Sequence, residues 1–205
     1  MSGQAPFRFY SHLIQSPVTN ATLGALLNYS DIIQFWYTDI PPRNWFIKDL
    51  DFDDMLKRRF GDIHRQASAG ELASWRLKPL GQLAEIIILD QFSRNLFRDS
   101  PLAFAYDGQA LVLAQTAIAM QADLNLDQLQ KAFLYMPFMH SESAAIHQQA
   151  MELFNQFGLE DNYKFELKHK IIIDQFGRYP HRNAILDRPS SLAEIDFLSQ
   201  PGSSF

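Results

Sequence analysis

The sequence of 205 residues contains no cysteine, no glycine-rich phosphate-binding loop and no apolar run near the roughly 20 residues that span a bilayer. The absence of cysteine excludes disulfides, thiol nucleophiles, iron–sulfur clusters and the usual cysteine-containing zinc sites. Basic side chains are also in the minority, because 18 Lys and Arg stand against 23 Asp and Glu. A net charge of −5 offers no positive field for a nucleic-acid backbone. We therefore expect neither a nucleic-acid nor a membrane partner, and the cytoplasm is the expected compartment.

Helical periodicity and helix-capping residues occur along most of the chain, whereas strand patterns are weak. Proline at the first turn marks helix starts at Pro79 and Pro101, and Ser191 with Glu194 has the pattern of a capping box. Connections between the predicted helices are mostly short, which predicts a single all-α domain over residues 1–205. The predicted helices cover residues 22–37, 51–60, 79–97, 101–120, 127–135, 141–158 and 161–176, followed by a short helix after Ser191.

One segment of the chain is repeated. Residues 90–98 and 174–182 share the pattern D-Q-F-x-R-x-x-x-R, and an aliphatic run precedes each copy. Repeated helical units stack around a continuous core, so we expect a duplicated helical unit. We also expect the two copies to pack near each other around a pseudo-twofold relation.

The repeated polar residues lie on helices that the aliphatic runs make largely buried. Asp90 and Arg94 are four residues apart and share one helix face, as do Asp174 and Arg178. One interpretation is structural: each Asp forms an ion pair with its own Arg or with the Arg of the other copy. The alternative is functional: the copies converge and leave Arg94 or Arg178 free for an anionic ligand.

A second polar group stands where one predicted helix meets the next. His140, Ser141 and Glu142 place an imidazole, a hydroxyl and a carboxylate side by side. Ser141 is expected to cap the following helix, whose free N–H groups favour an anion. The structural alternative is that Ser141 only caps, Glu142 complements the helix dipole and His140 bonds a neighbouring carbonyl. None of the six histidines has H-E-x-x-H spacing, and we expect no metal and no cofactor.

The sequence resembles the largely bacterial family grouped as domain of unknown function 924, over about Ile32 to Leu198. The resemblance implies an all-helical fold similar to tetratricopeptide-like α-α superhelices, with residues 1–30 as an N-terminal extension. The family has no established activity or catalytic residues to carry over. The segments that carry the resemblance are Phe35-Trp36, Trp45-Phe46, Arg59-Phe60, Gly70, Trp75, Leu89–Arg98, Phe133–Glu142 and Phe176–Asn183.

These observations lead to one functional hypothesis and two alternatives. The first is a concave pocket for a small anionic ligand, lined by Arg94, Arg178, His140, Ser141 and His181. A second is a hydrolase-like enzyme in which His140 is the general base, Glu142 orients it and an arginine stabilises negative charge. The third is a superhelical interaction scaffold whose polar pairs are purely structural. The ligand, any reaction and the oligomeric state do not follow from the sequence.

Overall fold

The structure is a computed structural model that describes residues 27–203, and every regular element in that range is helical. The predicted all-α class is therefore confirmed. The arrangement is compatible with an α-α superhelix, whereas its tetratricopeptide-like form and the single-domain organisation stay predictions. The α-helices are α1 (Tyr29–Gln34), α2 (Leu50–Ser68), α3 (Pro79–Ile87), α4 (Ser93–Leu96), α5 (Asp107–Ala119), α6 (Gln128–Met139), α7 (Ala144–Phe154), α8 (Glu160–Phe176) and α9 (Leu192–Leu198).

Two segments of π-helix interrupt the regular helices. Phe35–Asp39 extends α1, and Ile88–Phe92 joins α3 to α4 in one continuous helical run. A π-helix holds an extra residue in its turn and is frequent at functional sites. Periodicity predicted the continuous run over residues 79–97, but it did not reveal the π turn.

Capping residues explain where several helices begin. The predicted capping box of Ser191 and Glu194 is confirmed, and Asp127 caps α6 in the same way. Helix α1 begins at Tyr29 after the capping Asn28, so the predicted start at residue 22 is too early for residues 27 and 28. Residues 22–26 and most of the predicted extension lie outside the described residues.

The expected helix start at Ser141 is wrong, because α7 begins at Ala144 after Ser143. The predicted stop near Pro137 is also wrong, because α6 continues through that proline to Met139. His140 is the C-cap residue of α6. The junction between α6 and α7 is therefore a tight turn of four residues, 140–143.

The main hydrophobic core is built by α1 to α7. Its centre is a group of aromatic rings in which Phe92, from the π turn, contacts Phe35, Trp36 and Phe60. A second, smaller cluster contains Ile172, Ile173 and Tyr179, with partly buried residues of α8 and α9 packed against it. The α6–α7 turn lies between these two clusters, since Tyr179 bonds to Met139 and Glu142. None of the helices within residues 27–203 is both long and apolar enough to cross a membrane.

The two copies of the repeated segment are not structurally equivalent. The first copy continues through the π turn into α4, whereas the second leaves its helix at Gly177, which has a φ of 68°. Glycine adopts this left-handed conformation without steric cost, and it ends α8 there. The two segments nevertheless share Asp107 as a neighbour, as expected for copies that pack near each other, and the pseudo-twofold relation between them stays a prediction.

Candidate functional site

Asp90 is a fully buried carboxylate on the π turn between α3 and α4, with an exposure of 0%. Its side chain accepts a hydrogen bond from Gln91 at 2.5 Å and lies 3.8 Å from the guanidinium of Arg94. Its closest charged or titratable neighbour is His140, whose Nδ1 lies 2.7 Å from Oδ1 of Asp90. Burial alone would raise the pKa of Asp90, but His140, Arg94 and Gln91 together lower it below the ordinary value of an aspartate. Asp90 is therefore ionised at neutral pH.

This contact corrects the expected role of Glu142. We predicted that Glu142 would orient His140, but Asp90 does so from a different helix. Because an ionised carboxylate only accepts, Nδ1 of His140 carries the proton of that bond. The histidine is thus fixed in one tautomer by a buried acid fifty residues away in the sequence.

Two arginines share one carboxylate beside this pair. Nη1 of Arg94 donates to Oδ1 of Asp107 at 2.7 Å and to the carbonyl of Ala103, while Nη1 of Arg182 donates to Oδ2 of Asp107 at 3.1 Å. Both guanidinium groups also lie over the ring of Phe104, at 4.9 and 4.6 Å from its centroid. Burial and the nearby Arg94 charge lower the pKa of Arg182. Among the described residues, Nη2 of Arg94 and Nε of Arg182 have no hydrogen-bond acceptor.

A cleft of about 300 Å³ opens above these groups. Its lining combines apolar residues with a few polar ones, which is the usual composition of a small-molecule site. His140, with a side-chain exposure of 19%, lines it, and Nη2 of Arg182 donates to the carbonyl of His140 at 3.1 Å. The polar lining residues are Asp107, His140, Ser141, Glu142 and Arg182, and the others are Pro101, Phe104, Ala105, Gly108, Leu111, Pro137 and Leu186.

Glu142 lines the cleft, but its carboxylate is already paired with an arginine of the protein. Arg188 donates to its two oxygens at 2.6 and 2.9 Å, and the backbone N–H of Tyr179 donates to it at 2.8 Å. Burial would raise the pKa of Glu142, yet these bonds and the charge of Arg182 lower it. Glu142 is therefore a carboxylate that anchors the α6–α7 turn to the segment after α8.

The second copy of the repeat does not reach the cleft through the residues that we predicted. Arg178 donates to both oxygens of Glu194, at 2.6 and 2.9 Å, and does not line the cleft. Asp174 pairs with Lys170 at 2.6 Å, and 49% of its side chain is exposed. The expected pairing of Asp174 with an arginine of the repeat is therefore wrong, because Gly177 turns the chain away after Phe176.

Of the predicted ligand-binding residues, His140 and Ser141 line the cleft, whereas Arg94 and His181 do not. Arg94 lies behind the lining, where it contacts Asp107 and lies 3.8 Å from Asp90. The ring of His181 packs on Tyr179, with 5.5 Å between the ring centroids. Burial and the charge of Arg182 lower the pKa of His181 to about 4. Ser141 lines the cleft but does not cap α7, and its carbonyl accepts a bond from His147 at 2.8 Å.

Sequence reasoning missed Asp107, Arg182 and Arg188. Arg182 is the last residue of the second repeat copy. The repeated pattern therefore included it, but it did not indicate that Arg182, rather than Arg178, would line the cleft. Asp107 begins α5 and Arg188 lies in a loop, and neither position carries a sequence signal. Within residues 27–203, no group of three or more His, Asp or Glu side chains is placed to hold a metal ion.

Comparison with known proteins places the fold among bacterial relatives. A family model described as a bacterial protein of unknown function (DUF924) matches residues 32–202. The chain belongs to this family. The solved structure of a protein of unknown function from Agrobacterium tumefaciens is similar to this DUF924 protein, with 36% identity and a TM-score of 0.79. The alignment covers 83% of this chain and 96% of that one. No curated protein matches the chain.

Proposed function

We propose that the cleft binds a small anionic molecule, with Arg182 and His140 as its polar contacts. The observation that carries the proposal is the sharing of Asp107 by Arg94 and Arg182, directly beside His140. Arg182 shares the single carboxylate of Asp107 with Arg94, so an anion in the cleft would give the Arg182 guanidinium an acceptor of its own. A second carboxylate, Asp90, lies 3.8 Å from the guanidinium of Arg94, so Arg182 is the arginine of the two that a bound anion would serve.

The other acidic group on the cleft does not oppose this proposal. Glu142 is held by both terminal nitrogens of Arg188, so its charge is offset inside the protein. The apolar wall around Phe104 suits a small carbon skeleton, and about 300 Å³ lies at the lower end of ligand-pocket volumes. We therefore propose a metabolite-sized carboxylate or phosphate rather than a peptide.

Isothermal titration calorimetry with succinate and inorganic phosphate tests this function. We expect the wild type to bind at least one of the two at millimolar concentration or below. Arg182→Lys keeps the charge but loses the planar fork, so binding should weaken about tenfold or more. The matched control is Arg178→Lys, the same change at the other arginine of this repeat copy, which lies outside the cleft and should bind like the wild type.

Two results would contradict the proposal. One is no binding of either anion by a folded wild-type protein. The other is an equal loss of binding in Arg182→Lys and Arg178→Lys, which would point to nonspecific charge effects. Thermal melts of both variants establish that each is folded at the titration temperature. If neither anion binds, an interaction scaffold with structural polar pairs is the better explanation.

A further inference from the structure

We propose that the protein hydrolyses a small ester that also carries a free carboxylate, and that His140 is the general base of this reaction. This inference rests on the proposed function, because the anionic group of the substrate is held by Arg182. It departs from the expectation based on sequence, in which Glu142 oriented the histidine. Asp90 is a positioning residue in this proposal, and His140 is the catalytic residue.

The geometry around His140 leaves one ring nitrogen available for proton transfer. Nδ1 donates to buried Asp90, so Nε2 of the neutral ring carries the lone pair. Within residues 27–203, no side chain or backbone group is hydrogen-bonded to this Nε2, and the ring lines the cleft. An imidazole oriented by a buried carboxylate through Nδ1, with Nε2 toward substrate, is the arrangement that general-base catalysis uses.

The position of Asp90 on a π turn supports a role beyond helix packing. The turn brings the fully buried carboxylate of Asp90 into contact with His140, the C-cap residue of α6, and it replaces regular helical hydrogen bonds with those of a π-helix. Its counterpart Asp174 lies in a regular α-helix and is half exposed. Of the two aspartates, only Asp90, in the copy with the distorted backbone, is hydrogen-bonded to a residue that lines the cleft.

The proposed reaction is the addition of water to an ester. Nε2 of His140 accepts a proton from water, and the water oxygen forms a bond to the ester carbonyl carbon. The carbon–oxygen bond to the alcohol then breaks, and the protonated imidazole returns its proton to the leaving oxygen. The products are the carboxylic acid, which loses a proton to solvent, and the alcohol, so the step needs no other reactant. Ser141, which follows His140 in the sequence, also lines the cleft, and its hydroxyl would donate a hydrogen bond to the carbonyl oxygen of the ester.

The substrate class follows from the two kinds of residue that line the cleft. A free carboxylate matches the guanidinium of Arg182, and an acyl chain of a few carbons matches the apolar wall. Monoesters of small dicarboxylic acids combine these features. A neutral ester of the same length lacks the group that Arg182 would hold.

The test measures methanol release from monomethyl succinate by proton NMR, with methyl butyrate as the neutral control. We expect the wild type to hydrolyse monomethyl succinate in preference to methyl butyrate. Asp90→Asn should lower kcat about 100-fold or more while succinate binding changes little, because it removes the orientation of the base and not the anion contact. His140→Gln should lower kcat equally. Asp174→Asn, the same change in the other repeat copy, should retain wild-type kcat.

Binding and turnover separate this proposal from the proposed function. If succinate does not bind, the proposed function fails and this inference fails with it. If succinate binds but monomethyl succinate is not hydrolysed, only this inference is overturned. It is also overturned if folded Asp90→Asn and Asp174→Asn have the same kcat. A variant that unfolds is replaced by Asp90→Glu, which should retain part of the rate through the same carboxylate.

Discussion

Asp90 is a single buried charge that positions several side chains of the candidate site. The carboxylate receives its bonds from Gln91 and His140 and lies near Arg94, so three side chains are positioned by one residue. Removing a partner from a buried ionic group costs far more than removing an exposed pair, because the remaining charges stay desolvated. The repeated motif provides an exposed counterpart, Asp174, for direct comparison.

Asp90→Ala should destabilise the protein by roughly 3–5 kcal/mol, since it leaves His140 and Gln91 without their buried acceptor and removes a charge 3.8 Å from the Arg94 guanidinium. Asp174→Ala removes an exposed pair with Lys170 and should cost less than about 1 kcal/mol. Urea unfolding of both variants and the wild type measures these differences. Equal destabilisation by the two substitutions would contradict the assigned burial of Asp90.

A buried histidine predicts how stability depends on pH. Burial lowers the pKa of His64 to about 4, and its Nε2 lies 2.8 Å from Oγ of Ser93. Since the unfolded chain titrates near the ordinary value of about 6.5, the unfolded state binds more protons between these values. His64 should therefore contribute full stability above pH 6.5 or so and lose it as the pH falls toward about 4.

At about pH 5 the loss from His64 should be roughly 2 kcal/mol relative to neutral pH. Urea unfolding at both pH values gives the change in free energy of unfolding. His64→Gln removes the titration while keeping a donor toward Ser93, so its stability should fall less on acidification than that of the wild type. Parallel pH dependence of the two proteins would refute the assignment to His64.

At the scale of elements, Gly177 ends the helix in the second copy of the repeat, and Gly61 in α2 offers a glycine with an ordinary helical backbone for comparison. Gly177 has a positive φ at the end of α8, where an L side chain is strained. Gly61 lies inside α2 with a helical backbone, and a Cβ atom added there would meet no other atom within 4 Å. The same substitution should therefore have opposite effects at the two positions.

Gly177→Ala should destabilise the protein by about 1 kcal/mol, and Gly61→Ala should stabilise it by about 0.5–1 kcal/mol. Differential unfolding in urea measures both changes on one scale. A stabilising effect at position 177 would mean that α8 does not end in the left-handed cap.

The helices were largely predictable because their signals are local. Capping at Asp127 and Ser191 and the proline at Pro79 mark helix starts within a few residues. Ser141 misled the prediction because Ser143, two residues later, is an equally good cap by residue type. The π turn was not predictable, since it arises from packing around Phe92 and Asp90 rather than from a local preference.

At the scale of the whole molecule, the site is assembled from segments that are distant in the sequence. His140 was predictable as a candidate because it stands between two helical patterns. Its partner Asp90 is fifty residues earlier, and Arg182 meets Asp107 across seventy-five residues. No pattern within one helix predicts such pairings, because they depend on how α3, α5, α6 and the segment after α8 pack together.

The most direct test of the binding site is a nitrogen-15 NMR titration of the histidine side chains with succinate. We expect the His140 ring to show a protonated Nδ1 in the free protein, as its bond to Asp90 requires. Its resonances should then shift to saturation as succinate is added, and Arg182→Lys should need about tenfold more succinate, or more, for the same shift. His140 resonances that stay unchanged while succinate is in large excess would contradict the account.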